Sequence, residues 1–279
     1  MKIAVTGASG FIGRNVITKL LELEIDVVAI TRDTARLKKL ISSESIVEMD
    51  IACPPRNCFE QMRRPDALIH LAWDGLPNYK SLHHYEVELP RQYNFIKLMI
   101  EGGLSSVVVT GTCFEYGMQS GELLGSSLTK PNNPYGYAKD SLRQQLEYLK
   151  SIRQFNLTWA RLFYMYGEEQ SGNSIYPMLK EAVIRGDNTF NMSGGEQLRD
   201  YLDVTEVARQ LVLIAVSQEN AGAINICSGK AISIRRLVEQ WVEQNGWNIE
   251  LNFGYYPYLD YEPMAFWGVP YSKSKKSAK

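Results

Sequence analysis

The sequence has no long hydrophobic run, almost no net charge and few of the side chains that hold metals. No apolar stretch approaches the roughly 20 residues that cross a bilayer, so no membrane span is expected. The opening MKIAVTGASG enters a strand-like run at once, without a basic and apolar leader. A cytoplasmic setting is the expectation. Thirty Lys and Arg stand against 31 Asp and Glu, for a net charge of −1. That balance offers no basic face to nucleic acid, and no such partner is expected. The basic ending SKSKKSAK is expected to be a frayed, solvated tail. Cys53, Cys58, Cys113 and Cys227 form no CxxC pair, and only three histidines lie beside them. No metal site is therefore expected, and scattered thiols suit a reducing compartment.

What is present is a regular alternation. Apolar, β-branched runs at 2–6, 26–30, 45–49, 67–71, 106–110 and 157–162 read as strands. Helix-like segments lie near 11–23, 33–41, 57–63, 82–101 and 134–152. Strands that are apolar throughout suit a parallel sheet covered on both faces. Strand and helix in alternation predict an α/β fold with a doubly wound sheet. Beyond 162 the pattern loosens: helices near 173–185, 204–217 and 233–245 alternate with short strands near 188–192, 223–227 and 248–253. The aromatic C-terminal stretch, FGYYPYLDYEP and then FWG, reads either as a pocket wall or as a segment packed on the core.

The first strand runs into GASGFIG, with Gly7, Gly10 and Gly13 ahead of a helix. Glycines in that place allow a tight turn and let backbone N–H groups approach a pyrophosphate. The second strand continues into Thr31-Arg32-Asp33. Arg32 stands where a 2′-phosphate would need a cation, which favours NADP(H) over NAD(H). Asp33 falls late for a ribose acid and is expected to cap the next helix beside Thr34.

NNPYGYAKD, residues 132–140, holds Tyr135, Tyr137 and Lys139. With Pro134 in a first helical turn, Tyr135 and Lys139 are i,i+4 and share a face, while Tyr137 points away. An ammonium near a phenol favours the phenolate, and a phenol so tuned can move protons near neutral pH. Thr112, in TGTCFEYG after the fifth strand, offers a hydroxyl at the strand end where ligands bind in such sheets.

Glycine loop, strand-end threonine and Tyr-x-x-x-Lys, in that order, resemble the extended short-chain dehydrogenase/reductases, the NAD-dependent epimerase/dehydratase family. The resemblance runs nearly end to end. GASGFIG is similar to the family's glycine loop and implies cofactor contacts from Gly7, Ser9, Gly10, Phe11, Ile12 and Gly13. Asp50-Ile51 resembles its adenine-contacting pair, and HLAW, with Leu71, Ala72 and Trp73, its HxAA stretch. PYGYAK resembles its PYxxxK helix, implying Thr112, Tyr135 and Lys139 as the catalytic trio, with Tyr135 and Lys139 also touching cofactor. RLFYMYG resembles RxxNxYGP, LRDYLDVTEVA resembles RDFxxVxDVA, and GAINICSG resembles the YNxGxG turn. Arg199 is implied as a diphosphate partner, with Cys113, Asn173 and Tyr201 nearby on the substrate. The family's helix asparagine is Glu88 here, its NxYGP asparagine is Tyr164 and its proline Glu168.

The resemblance implies a Rossmann-like domain, residues 1–165 plus about 197–232, and a smaller substrate-binding subdomain from about 166–196 and 233–279. Thr112 is followed by Cys113-Phe114 rather than the acidic pair of the family's dehydratases. GTCFEYG and the YEPMAFWG tail are most similar to nucleotide-sugar 4-ketoreductases of the dTDP-4-dehydro-6-deoxyglucose reductase type. NADPH-dependent reduction of a nucleotide-diphosphate sugar in deoxysugar and surface-polysaccharide synthesis is the expectation. A C4-epimerase with tightly held NAD and a non-catalytic NADP sensor are the alternatives. A homodimer through the helices near 82–101 and 134–152 is expected by analogy. His83 and His84 are expected at the surface or an interface.

Overall fold

In the computed structural model, which describes residues 1–170, 172–258 and 260–271, seven parallel strands form one sheet. They are β1 (Lys2–Thr6), β2 (Asp26–Thr31), β3 (Ile46–Glu48), β4 (Ala67–His70), β5 (Ser106–Thr112), β6 (Asn156–Leu162) and β7 (Gly222–Ile226). From edge to edge they run β3-β2-β1-β4-β5-β6-β7. Successive strands step outward on opposite sides of β1 and β4, so the chain reverses direction between those two. A crevice opens there at the carboxyl ends of the strands, the place where such sheets take ligands.

The strands are apolar throughout because both faces are covered. Ile3 and Val5 face one core with Val16, Ile17 and Leu20 of α1 (Phe11–Glu22). Ala4, Val28 and Leu68 face the other, with Phe95 and Met99 of α2 (Leu89–Gly102) and Leu142 and Leu146 of α3 (Pro134–Ile152). A further core lies off the sheet. There α4 (Ile175–Arg185) and α6 (Ile234–Asn245) pack Leu179, Ala182, Leu237, Val238 and Trp241 against Phe190 and Met192. Between them in sequence, α5 (Val204–Ser217) returns to the sheet and packs Val207 and Leu211 in the α1 core.

Two expected helices come out differently. Residues 33–41 form turns: Leu37 N and Lys38 N both donate to Thr34 O, and Ile41 N to Leu37 O, without a continuous ladder. Leu37 and Ile41 alone are buried there, too few anchors for an amphipathic stripe among Arg36, Lys38 and Lys39. The 57–63 segment shrinks to one turn, Cys58–Gln61. The 82–101 helix starts with a π-helical turn, His84–Glu88, before α2. The basic ending 272–279 lies outside the described residues.

Candidate active site

The β1–α1 loop is built from close backbone approach. Gly7 has φ +66°, and a Cβ on it would lie 2.9 Å from Ala72 N. A Cβ on Gly13 would overlap the Gly7 carbonyl. Above this loop runs a cleft of about 380 Å³. Gly7, Ser9 and Gly10 line its middle, Arg32, Asp33, Arg36, Asp50 and Ile51 one end, and Leu71, Ala72, Trp73, Asp74, Glu88 and Arg91 the rest. Phe11, Ile12 and Gly13 do not line it; they form the first turn of α1, with Ile12 packed on the core. The glycine cradle and the cations at one end fit a dinucleotide with its pyrophosphate on the loop.

Strand β2 ends on Thr31 rather than on an acid. Its hydroxyl donates to Ser9 Oγ at 2.9 Å and accepts from Asp33 N at 3.0 Å. Asp33 Oδ1 accepts from Ala35 N at 3.1 Å, so it caps a turn rather than the helix expected there, and its other oxygen pairs with Arg36 at 3.2 Å.

Thr112, Tyr135 and Lys139, the residues expected to be catalytic, come together at the end of β5. Thr112 N donates to Glu115 Oε1 at 2.9 Å, and Thr112 Oγ1 accepts from Phe114 N at 3.3 Å, a reciprocal cap that fixes the threonine. Glu115 is fully buried and held by Arg161 Nε at 2.6 Å and Trp159 Nε1 at 2.9 Å. Asn133 Oδ1 accepts from Gly136 N at 2.8 Å and starts α3 at Pro134. That start turns Tyr135 and Lys139 inward, 8% and 2% exposed, and leaves Tyr137 53% exposed.

One electrostatic expectation is reversed. Lys139 Nζ lies 5.9 Å from the Tyr135 ring centre, donates to Thr110 O at 2.9 Å and sits 4.0 Å over the Trp73 ring. Burial pushes its ammonium down to about 7. Burial pushes the Tyr135 phenol up, and the hydrogen bond from Thr112 opposes this only in part. Loss of water is the largest influence on both groups, and it outweighs the Thr112 hydrogen bond at Tyr135 and the Glu115 and Glu88 charges at Lys139.

Tyr135 is ringed by aromatics. Ring centres of His84, Tyr79, Trp73 and Phe114 stand 5.2, 5.6, 5.9 and 6.4 Å away. Its N–H donates to Tyr79 O at 3.2 Å. His84, expected at the surface or an interface, is buried in this collar because the π-helical turn carries it inward. Beneath lies a second polar chain. Gln92 Nε2 donates to Glu88 Oε2 at 2.7 Å, which leaves Gln92 Oε1 to accept from His70 Nε2 at 2.7 Å. His70 Nδ1 then accepts from the Thr6 hydroxyl at 2.9 Å. Burial drives His70 down to about 3, so it is neutral. Asp74, His83 and Glu88 also bring donor atoms within 4.8 Å of one another, a proximity that spacing alone did not show.

A second pocket of about 430 Å³ opens on the other side of Tyr79 and Phe114. Asn173, Arg199 and Tyr201 line it, as do Tyr164 and, from the C-terminal stretch, Tyr256, Pro257 and Glu262. Cys113 does not line it; it packs behind with Tyr116, Phe163 and Phe266. Arg199 is buried and not free: Glu262 takes its Nη2 at 2.8 Å and Nε at 3.3 Å. Tyr164 stacks on Tyr201 with ring centres 5.3 Å apart, and its hydroxyl is buried with no hydrogen-bond partner among the described residues.

A family profile described as the NAD dependent epimerase/dehydratase family matches residues 3–227. The chain belongs to that family. It is 32% identical over 271 residues to "dTDP-6-deoxy-L-talose 4-dehydrogenase (NAD(+))" of Aggregatibacter actinomycetemcomitans, covering 96% of this chain and all of the relative. It is 29% identical to "GDP-6-deoxy-D-talose 4-dehydrogenase" of the same organism, over 86% of this chain and 78% of the relative. The fold matches a UDP-N-acetylglucosamine 4-epimerase from Methanobrevibacter ruminantium M1 with TM-score 0.81 and 23% identity, covering 95% of this chain and 88% of that one. It matches a UDP-glucose-4-epimerase from Stenotrophomonas maltophila with TM-score 0.83 and 19% identity, covering 96% and 89%. Membership makes this chain an enzyme, and its relatives act on nucleotide sugars.

Several residues escaped the family motifs. Arg36, Asp74 and Arg91 in the first cleft carry ordinary surface spacing. Glu115 was visible only as part of GTCFEYG. Tyr79 comes from a loop and His84 from the π-helical turn, with no local pattern to separate them from solvated residues, and Glu262 was visible only as part of YEPMAFWG.

Proposed function

We propose that this enzyme reduces the 4-keto group of a nucleotide-activated 6-deoxy sugar, of the dTDP-4-dehydro-6-deoxyglucose type, with NADPH as reductant. The observation that carries the reading is the placement of Tyr135 beside Thr112, walled by Tyr79 and Phe114, which also line the second pocket. The full-length relative at 32% identity supports the same bond, since its name describes oxidation at C4 of a 6-deoxy sugar.

When bound, the dihydronicotinamide supplies a hydride. Tyr135 gives its proton to the C4 oxygen as charge develops there. A phenol that burial keeps neutral arrives protonated, as reduction needs. The Thr112 hydroxyl hydrogen-bonds the same oxygen, and such a donor lowers the barrier by several kcal/mol, roughly. Lys139 orients the nicotinamide ribose. Asn173, Arg199 and Tyr201 hold the nucleotide diphosphate. We read residues 166–196 with 233–271 as the substrate lobe, and α2 with α3 as a homodimer face. Deoxysugar supply for surface polysaccharide, in the cytoplasm, is the setting proposed.

Thr31 at the end of β2, with Arg32 and Arg36 beside it, supports NADP(H). The relative named for NAD(+) favours NAD(H) as the cofactor, and others named UDP-glucose 4-epimerase at 24% identity favour a second reading: a C4-epimerase with resident NAD. The test is NADPH and NADH oxidation against a panel of nucleotide-linked 4-keto-6-deoxy sugars. Steady net consumption supports the reductase. A protein that purifies with NAD and consumes no reduced cofactor is the epimerase.

A further inference from the structure

Trp73 stands where the resembled HxAA stretch has a small residue, and three contacts fix its indole. The ring edge meets Tyr135, the face carries Lys139 Nζ at 4.0 Å, and Nε1 donates to His84 Nδ1 at 3.1 Å. His84 Nε2 lies 2.8 Å from the Asn78 carbonyl, which can only accept. That nitrogen therefore carries the proton, and Nδ1 is left to accept from the indole. A protonated His84 would set two N–H groups against each other. The approach depends on Gly75, at φ +86°: a Cβ there would lie 3.1 Å from His83 and 3.2 Å from His84. Among the described residues, the single hydrogen bond of Lys139 is to Thr110 O.

We propose that Trp73 and His84 are positioning residues: His84 fixes the indole of Trp73, and the indole face holds the buried Lys139 ammonium beside Tyr135. A cation over an indole is drawn to the negative face of the ring, more strongly once water is excluded. Glu115, Glu88, His70, His84 and Tyr135 are the other titratable groups facing Lys139. Neither carboxylate hydrogen-bonds it, so the Thr110 carbonyl and the Trp73 indole are the close contacts that favour ammonium over amine, and the indole is the one a substitution can remove. The inference rests on the reading of Lys139 as part of the reaction site.

The test is the titration of Lys139 itself, followed by the ¹³Cε shift in lysine-labelled protein and assigned by its loss in Lys139→Met. The expected wild-type midpoint is about 7. Removing the ring in Trp73→Leu lowers it by about one pH unit, the scale of a shielded cation–π contact. Trp73→Phe, which keeps a ring, and His84→Leu, which frees the indole, each lower it by less. His84→Gln, which can still accept from the indole, stays near wild type. The alkaline limb of kcat/KM moves with the midpoint. Lys139 titrating at or above the wild-type midpoint in Trp73→Leu overturns the proposal. Should that variant not fold, an unchanged midpoint in His84→Leu overturns it equally. If the midpoints move as stated while the wild-type enzyme reduces no nucleotide sugar, the reaction assigned above fails and this inference stands.

Discussion

Arg199 and Glu262 form a buried, two-point ion pair across 63 residues of sequence, with Nη2 and Nε of the guanidinium both facing one carboxylate. That face is the one a phosphate would use, because a guanidinium binds phosphate in the same forked geometry. Glu262→Gln is expected to bind dTDP more tightly, roughly fivefold to tenfold, and Arg199→Met more weakly by at least about tenfold, the scale of a charge-assisted contact. Calorimetric titration with dTDP alone measures both. Weaker binding in Glu262→Gln would mean that the carboxylate touches the ligand itself.

Tyr135→Phe removes the proposed proton donor and leaves the ring that fills the collar. Turnover should fall by roughly 10²–10⁴, the range for a general acid. The Kd for NADPH, read by fluorescence, should change by less than about threefold, because the phenol adds little to a cofactor held along its whole length. Thr112→Ala should cost roughly 10²–10³ in kcat. Turnover within a few-fold of wild type in Tyr135→Phe would remove this tyrosine from the chemistry.

Arg32 and Arg36 should separate the two cofactors. Arg32→Ala should raise the KM for NADPH about tenfold, as loss of a charge-assisted phosphate contact does. The KM for NADH should move by less than about twofold, since NADH lacks the 2′-phosphate. Equal effects on both cofactors would make Arg32 a solvated surface charge.

His70 makes stability pH-dependent with a definite sign. Its folded value is depressed to about 3 while an unfolded histidine keeps its ordinary value of 6.5. Between those values the unfolded chain binds the proton and the folded chain does not, so stability is full above about 6.5 and falls as pH drops. The slope is about 1.4 kcal/mol per pH unit for one such group. Urea denaturation from pH 7 to pH 4 should show a shallower slope in His70→Asn, even if that variant is less stable at pH 7. An identical slope would assign the acid sensitivity to other groups.

The local pattern of the chain was enough for the sheet and for half of the site. Continuously apolar strands buried on both faces, the glycine turn before α1, and the i,i+4 spacing of Tyr135 and Lys139 can each be read from a few residues. Thr112 and the helix start at Asn133-Pro134 were legible for the same reason. The turns at 33–41 misled because Leu37, Leu40 and Ile41 in a charged run satisfy a helical period, yet only Leu37 and Ile41 are buried, too little area to hold a helix.

Other features needed the folded chain. His84 reaches the Tyr135 ring through the π-helical turn, Trp73 supplies the surface under Lys139, and Glu262 closes on Arg199 from the C-terminal stretch. The direction of the Tyr135 and Lys139 shifts belongs with these. An adjacent cation can be read from spacing, but the water removed from both groups depends on walls contributed by β5, α3 and the 73–84 loop together. Desolvation is a property of that whole enclosure, and here it is the largest influence on both groups, where the motif alone suggested a pairwise attraction.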